Sequence, residues 1–406
     1  MEPGELQTEY VGRRGRLFGL ALRTSLMTVL SLGLYRFWMK TRLRRFYWSA
    51  IRPGGHPLEY VGLPMEKLLG FLIAVVFLAF YIGIANLALM FVSLSLFGTS
   101  LWATALSFLG ILPVLFYARY RARRYILART RWRGIGFGLE PAAWGYAWRA
   151  LAHWAVTILS LGLLWPRMTF WLEKYRTDRT WFGNARMHQG GRWQMLYRPF
   201  LVFLISLFGT AVVIAVAVAS VPAGTVVPVG AGPLFGLAAV SVVACGFMHY
   251  RIQAFRLLTE HKRLGGLGFR ARPRLWRVLR IYLFGYGLAG LAMLALGLAL
   301  AIAVAIPFAG VPGIVPPGSP GEDPFAIASA LPLWVSLALG AGAYFTLFIM
   351  WSVLRQVFVT LPLARHYAET LEIRNAGALS RLGRRAGEDA GHAEGFAEAL
   401  DVEAAL

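Results

Sequence analysis

Apolar residues in this chain gather into three long runs, Leu68 to Ala118, Pro199 to Tyr250 and Ile281 to Leu354, the last interrupted only by Glu322 and Asp323. All 41 Lys and Arg residues lie outside them. A bilayer demands such sorting, because a Lys or Arg at its centre costs about 3 kcal/mol. A crossing helix needs about 20 residues, so each run accommodates two helices and a turn. Gly- and Pro-containing stretches supply the turns: Phe97-Gly98-Thr99, VPAGTVVPVGAGP at 221–233 and AGVPGIVPPGSPGEDP at 309–324. The pattern predicts an all-α, polytopic helical membrane protein with six spans in three hairpins.

Two shorter apolar segments, Leu17 to Tyr35 and Gly145 to Trp165, break this regularity. Both have basic residues on both flanks, and both carry internal polar groups, Arg23 in the first and Arg149 and His153 in the second. If either crossed, a strongly basic segment would be stranded on the outer side. They read as re-entrant, tilted or surface-lying helices on the cytoplasmic side, with ordinary spans as the competing reading. The basic segments 36–67, 119–149, 165–198, 251–280 and 355–385 then face the cytoplasm together with both termini, in a bacterial inner membrane.

Composition agrees: 58% of residues are hydrophobic, and mean hydropathy is +0.58. The net charge of +22 would suggest nucleic acid in a water-soluble protein. Here the positive-inside rule accounts for it, and no nucleic-acid partner is expected. The single cysteine, Cys245, lies within an apolar run and reads as a small buried hydrophobe, and it excludes a disulfide within the chain. MEPGELQTEYVGRRGR starts acidic and has no cleavage pattern, so it is not expected to be a signal peptide.

The chain also repeats itself. TVLSLGL at 28–34 matches TILSLGL at 157–163, and 117–144 aligns with 249–276, placing Arg124 on Arg256, Phe137 on Phe269 and Trp144 on Trp276. The implied organisation is a cytoplasmic N-terminus (1–16), repeats at 17–145 and 146–280, a partial third copy at 281–385, and a flexible acidic tail at 386–406. Each unit returns to the same side, so the repeats are parallel. LSLGLYRFWMKTRLRRFYWSAIRPGGHPLEYVG (30–62), RRYILARTRWRGIGFGL (123–139) and SLGLLWPRMTFWLEKYRTDRTWFGNARMHQG (160–190) resemble the YjgN-like bacterial inner-membrane proteins, a family with a domain of unknown function. The resemblance covers most of 17–385. It implies location and architecture and carries over no site residue.

The residues suggest no enzyme. No HExxH, paired Cys, carboxylate cluster, P-loop or G-x-S-x-G motif occurs, so no metal, cofactor or catalytic residue is expected. GIGFG at 134–138 reads as a tight elbow turn. The basic elbows are the strongest candidates, because they interleave Arg with Trp, Tyr and Phe. Arginine grips phosphate in a bidentate manner, and aromatic rings settle at headgroup level. Arg44, Arg45, Arg123, Arg124, Arg131, Arg133, Arg256, Lys262 and Arg263 are the expected anionic-lipid or ligand contacts. Arg23, Arg149, His153 and Asn86 are the intramembrane polar candidates. The expected role is to bind or move an anionic lipid or small solute at the cytoplasmic leaflet, with preferentially anionic lipids as partners. A scaffold for a partner membrane complex is the alternative.

Overall fold

A computed structural model describes residues 4–80, 83–84, 87–97, 112–221, 231–305 and 332–383. Asn86, the three expected outer turns and the acidic tail fall wholly or largely outside the described residues. The chain divides into two compact units: Met1–Val11, Trp48–Leu275 and Tyr367–Leu406 form the first, Gly12–Tyr47 and Trp276–His366 the second.

The first unit is built on strands, which overturns the all-α expectation. Ten strands form one antiparallel sheet: β1 (Leu6–Tyr10), β2 (Ile51–Pro53), β3 (Leu58–Tyr60), β4 (Thr130–Trp132), β5 (Ile135–Leu139), β6 (Thr180–Phe182), β7 (Ala185–Gln189), β8 (Lys262–Leu264), β9 (Leu267–Ala271) and β10 (Leu371–Arg374). Their spatial order is β2-β1-β10-β9-β8-β7-β6-β5-β4-β3. The two end strands, β2 and β3, are consecutive in the chain and lie against each other, so the sheet is a nearly closed ring. Near-closure hides sheet edges that would otherwise recruit other chains. Strands β1 and β10, nearest the two chain ends, are neighbours in register Leu6↔Ile373.

Strand connections alternate in kind. On one side of the ring they are tight. Arg133 (φ 53°) and Gly134 (φ 75°) join β4 to β5, and Gly265 (φ 51°) and Gly266 (φ 92°) join β8 to β9. Two successive positive φ values match the twist of a two-residue hairpin. Within the first unit, helices connect β3 to β4, β5 to β6 and β7 to β8. The segments expected to be basic elbows are therefore helix ends running into β-hairpins.

Alternation along the strands sorts the two faces. Trp132, Phe182, Leu264, Leu267 and Ile373 point into one apolar core, closed by Ala378 of the 3-10 turn Ala376–Arg381. The other face is charged, with Glu59 opposite Arg131, Glu9 opposite Arg52 and Glu372 opposite Arg270. Opposed charges on neighbouring strands contribute a few tenths of a kcal/mol to about 1 kcal/mol per pair.

The helical inserts differ in length. Between β5 and β6 stand α6 (Ala143–Leu159) and α7 (Trp165–Thr177). These pack with α5 (Leu112–Ala128) around Tyr120, Tyr146 and Tyr175. Between β7 and β8 stand α8 (Tyr197–Ala219) and α9 (Ala231–Glu260), held by Phe200–Tyr250 and Phe203–Phe247 ring contacts at 5.3 and 5.7 Å. A Cβ at Gly246 would collide with Ser206, so the two backbones approach closely there. Helices α3 (Pro64–Phe80) and α4 (Leu87–Phe97) follow β3.

The second unit holds α1 (Arg14–Leu30), α2 (Arg36–Ala50) as far as Tyr47, and most of α10 (Leu275–Ala305), with α11 (Leu333–Arg355) and the first part of α12 (Leu361–Glu369). Helix α1 packs on α11, Tyr286 stacks on Trp351 at 6.0 Å, and Tyr47 donates to Gln356 Oε1 at 2.7 Å.

Among the described residues four helical segments are long and apolar enough to cross a membrane: Trp193–Ala219, Gly232–Glu260, Leu275–Val304 and Leu333–Glu369. This corrects the expectation of six. Within the described residues helix α3 spans 17 residues and α4 11, fewer than the about 20 that a crossing helix needs. Cys245 corrects a second expectation: it is exposed on α9 rather than buried in the protein.

Candidate functional site

The two SLG sequences fold alike. In the first, Leu32 takes φ 51° and Gly33 φ 92°; in the second, Leu161 takes φ 52° and Gly162 φ 85°. Gly33 N–H donates to Thr28 O at 2.7 Å and Gly162 N–H to Thr157 O at 2.8 Å, closing the end of each helix. Ser31 Oγ accepts from Tyr35 N–H at 2.8 Å and Ser160 Oγ from Leu164 N–H at 3.1 Å, which opens the return helix. Each turn displays a leucine almost entirely, Leu32 at 96% and Leu161 at 93% exposure.

In the first unit the level of this tip is readable. Tyr197, the first residue of α8, donates its hydroxyl to Leu163 O at 2.9 Å. Trp154 meets Trp165 at 5.5 Å, and Trp165 meets Phe247 at 6.3 Å. The tip of α6–α7 is therefore fastened where the α8–α9 pair begins its apolar course. Arg198 and Arg251 are exposed there, each within two residues of the Phe200–Tyr250 contact. Neither was among the expected site residues. The signal was present, since these two arginines immediately bound the uncharged run from Pro199 to Tyr250.

The seven expected contacts of the first unit are divided among several elements. Arg123 of α5 and Lys262 of β8 converge instead on Glu173 of α7, at 4.0 and 2.6 Å, and Arg176 completes the cluster at 2.6 Å. Burial alone would raise the Glu173 pKa, but Lys262, then Arg176 and Arg123, outweigh it and hold the carboxyl well below the usual carboxylate range. Arg256 pairs with Glu260 at 3.2 Å. Arg131 faces Glu59 across the sheet. Arg133 sits in the tight β4–β5 turn, 5.7 Å from the Trp132 ring, at the end of the strands opposite α5. Arg263 is exposed on β8, Arg124 half-buried on α5, and Arg44 and Arg45 lie on α2 of the second unit. Arg123, Arg124, Arg131 and Arg133 are thus spread over a helix, a strand and a turn, because the chain reverses direction within the elbow.

Of the intramembrane candidates, Arg23 is exposed on α1. Arg149 donates to Gly145 O at 3.1 Å and lies 4.8 Å from the Tyr175 ring, where the ring face attracts its charge. The His153 pKa is lowered by burial, then by Arg167 and Arg149, so its neutral form is favoured near pH 7. No group of three His, Cys, Asp or Glu placed to hold a metal occurs among the described residues.

No curated protein and no solved structure matches the chain. Residues 5–314 match the family described as bacterial proteins of unknown function (DUF898), and the chain belongs to that family, the one to which its YjgN-like motifs point.

Proposed function

We propose that this protein is a bacterial inner-membrane protein whose strand ring stands on the cytoplasmic face and whose helix entrances bind anionic lipid headgroups. The observation that carries the reading is the belt in the first unit where Arg198 and Arg251 are exposed beside Trp193, Tyr197, Trp165 and Trp154, at the entry to an apolar helix pair. Aromatic rings favour the headgroup level, and a basic residue there contributes about 1 kcal/mol of attraction to anionic lipid. The positive-inside rule puts the ring side, with strands β1 and β10 near the chain ends, in the cytoplasm. The ring's apolar filling argues against passage of a polar solute through it.

Native mass spectrometry of the full chain, carried in phosphatidylglycerol and phosphatidylcholine mixtures, tests this. The double variant Arg198→Gln/Arg251→Gln should retain anionic lipid about thirtyfold more weakly, from two contributions of about 1 kcal/mol each. Equal retention by the variant and the native chain would overturn the reading in favour of a non-catalytic scaffold for a partner membrane complex.

A further inference from the structure

The Glu173 cluster holds more positive charge than its carboxylate can serve. Glu173 Oε1 accepts from Lys262 at 2.6 Å and from the Thr177 hydroxyl at 3.4 Å, with Arg123 standing off at 4.0 Å. Glu173 Oε2 accepts from Arg176 at 2.6 Å. Among the described residues no other carboxylate lies within ion-pair distance of these three cations. The Nε–H groups of Arg123 and Arg176 are both buried and make no hydrogen bond. Tyr146, 3% exposed, has its ring 5.8 Å from the Arg176 guanidinium, and its hydroxyl makes no hydrogen bond among the described residues. The neighbouring tyrosines spend theirs: Tyr120 donates to Glu140 O at 2.8 Å and Tyr175 to Ala142 O at 3.1 Å.

What remains without an acceptor is the buried Nε–H of Arg123 and of Arg176, with the Tyr146 phenol beside the Arg176 guanidinium. Buried donors and uncompensated charge are both costly, and an oxyanion relieves both at once. Planar guanidinium groups match tetrahedral oxyanions in bidentate fashion, which favours phosphate over chloride. The Arg123 and Arg176 side chains retain 28% and 21% exposure, so a small anion can reach them. We propose that Arg123, Arg176 and Tyr146 form a binding site for a phosphate group, with Glu173 and Lys262 fixing its floor. The inference does not rest on the headgroup belt, which uses other residues.

Thermal unfolding of the full chain in phosphatidylcholine nanodiscs tests the site. One arm titrates inorganic phosphate against chloride at equal ionic strength. A second replaces part of the phosphatidylcholine with phosphatidylglycerol in phosphate-free buffer. A ligand that binds only the folded state raises Tm in proportion to its saturation. A saturable phosphate shift assigns the site to a free phosphate; a shift only with phosphatidylglycerol assigns it to a headgroup. In either case Arg123→Gln should keep the basal Tm close to that of the native chain, because Glu173 retains Lys262 and Arg176, and should abolish the shift. Tyr146→Phe, which removes only the hydroxyl, should weaken binding about tenfold. No shift in either arm would overturn the proposal. So would a phosphatidylglycerol shift that survives Arg123→Gln with no response to phosphate, an outcome that leaves the belt intact.

Discussion

Two helical inserts of one ring, α6–α7 and α8–α9, differ in what covers their apolar surface. The α6–α7 pair covers part of its own within the protein: Tyr146, Ala147 and Ala150 on α6 and Met168, Phe170 and Leu172 on α7 are buried, while Trp148, Ile158 and Leu159 toward the other face and the tip stay exposed. Helix α8 buries only Pro199 and Phe200, at its start. Length follows the same division. At 1.5 Å per residue, the 17 residues of α6 and 13 of α7 reach about 26 and 20 Å, against a hydrocarbon core of about 30 Å. The 23 residues of α8 reach about 35 Å. The comparison teaches that the ring sets where each insert starts and returns, while the insert's length and charge decide whether lipid or protein covers it. The short insert is tied down by polar contacts, the long one by close apolar packing.

Breaking each kind of tie separately should separate the two regions. Glu173→Gln removes the carboxylate that α7 offers to three cations and should destabilise the ring–α7 junction by about 3–5 kcal/mol, the range for removing one partner of a buried ion pair. Thermal unfolding, with proteolysis at α7, reads this, and α8–α9 should keep its protection. The pH dependence has a definite sign. A carboxyl whose folded pKa is depressed stabilises fully above its unfolded value, about 4.3, and loses that stabilisation as pH falls from there toward the folded value. The native chain should therefore lose Tm between about pH 5 and pH 2 more steeply than Glu173→Gln does. Parallel acid profiles would remove Glu173 from this role.

Gly246→Leu acts on the other region. It forces a side chain into the Ser206 contact and should cost about 1–3 kcal/mol through overpacking, separating α8 from α9 while the Glu173 cluster stays intact. Cysteine crosslinking between α8 and α9 should fall, and unchanged crosslinking would mean that this crossing tolerates bulk. The smallest expected effect lies in the ring itself. Arg133→Gly relieves a non-glycine residue at φ 53° and should raise stability by up to about 1 kcal/mol, with no change in lipid retention. Reduced lipid retention would instead restore Arg133 as a lipid contact.

Much of this comparison could be read from the chain before its fold. Lys and Arg are excluded from Pro199 to Tyr250, and that exclusion marks the α8–α9 pair because bilayers impose it on sequence directly. The SLG segments stood apart through Arg23, Arg149 and His153. The strands were not legible. They span three to five residues, too few to show a two-residue period, and each is stabilised by a partner distant in sequence, as in Met187↔Leu264 and Leu371↔Ala271. GIGFG illustrates the difficulty: it reads as a turn, and Gly134 does turn, yet its last four residues belong to β5, where a Cβ on Gly138 would strike the Trp181 ring that covers it. The basic elbows misled for the same reason. Charge density suggested a lipid-binding site in each elbow, whereas the hairpin sends Arg123 inward to Glu173 and Arg133 to the far turn.

The central claim is that the α6–α7 tip stops at headgroup level while α8 goes through. Spin labels at Leu161 and at Val213, placed one at a time in a Cys245→Ala chain in phosphatidylglycerol-containing nanodiscs, measure it by their relative accessibility to oxygen and to a water-soluble nickel chelate. The account predicts a deep, oxygen-favoured label at Val213 and a shallow one at Leu161, within about 5–10 Å of the headgroup boundary. Equal depth at the two positions would contradict it, making the SLG hairpin an ordinary membrane insertion and removing the belt at Arg198 and Arg251 from the membrane face.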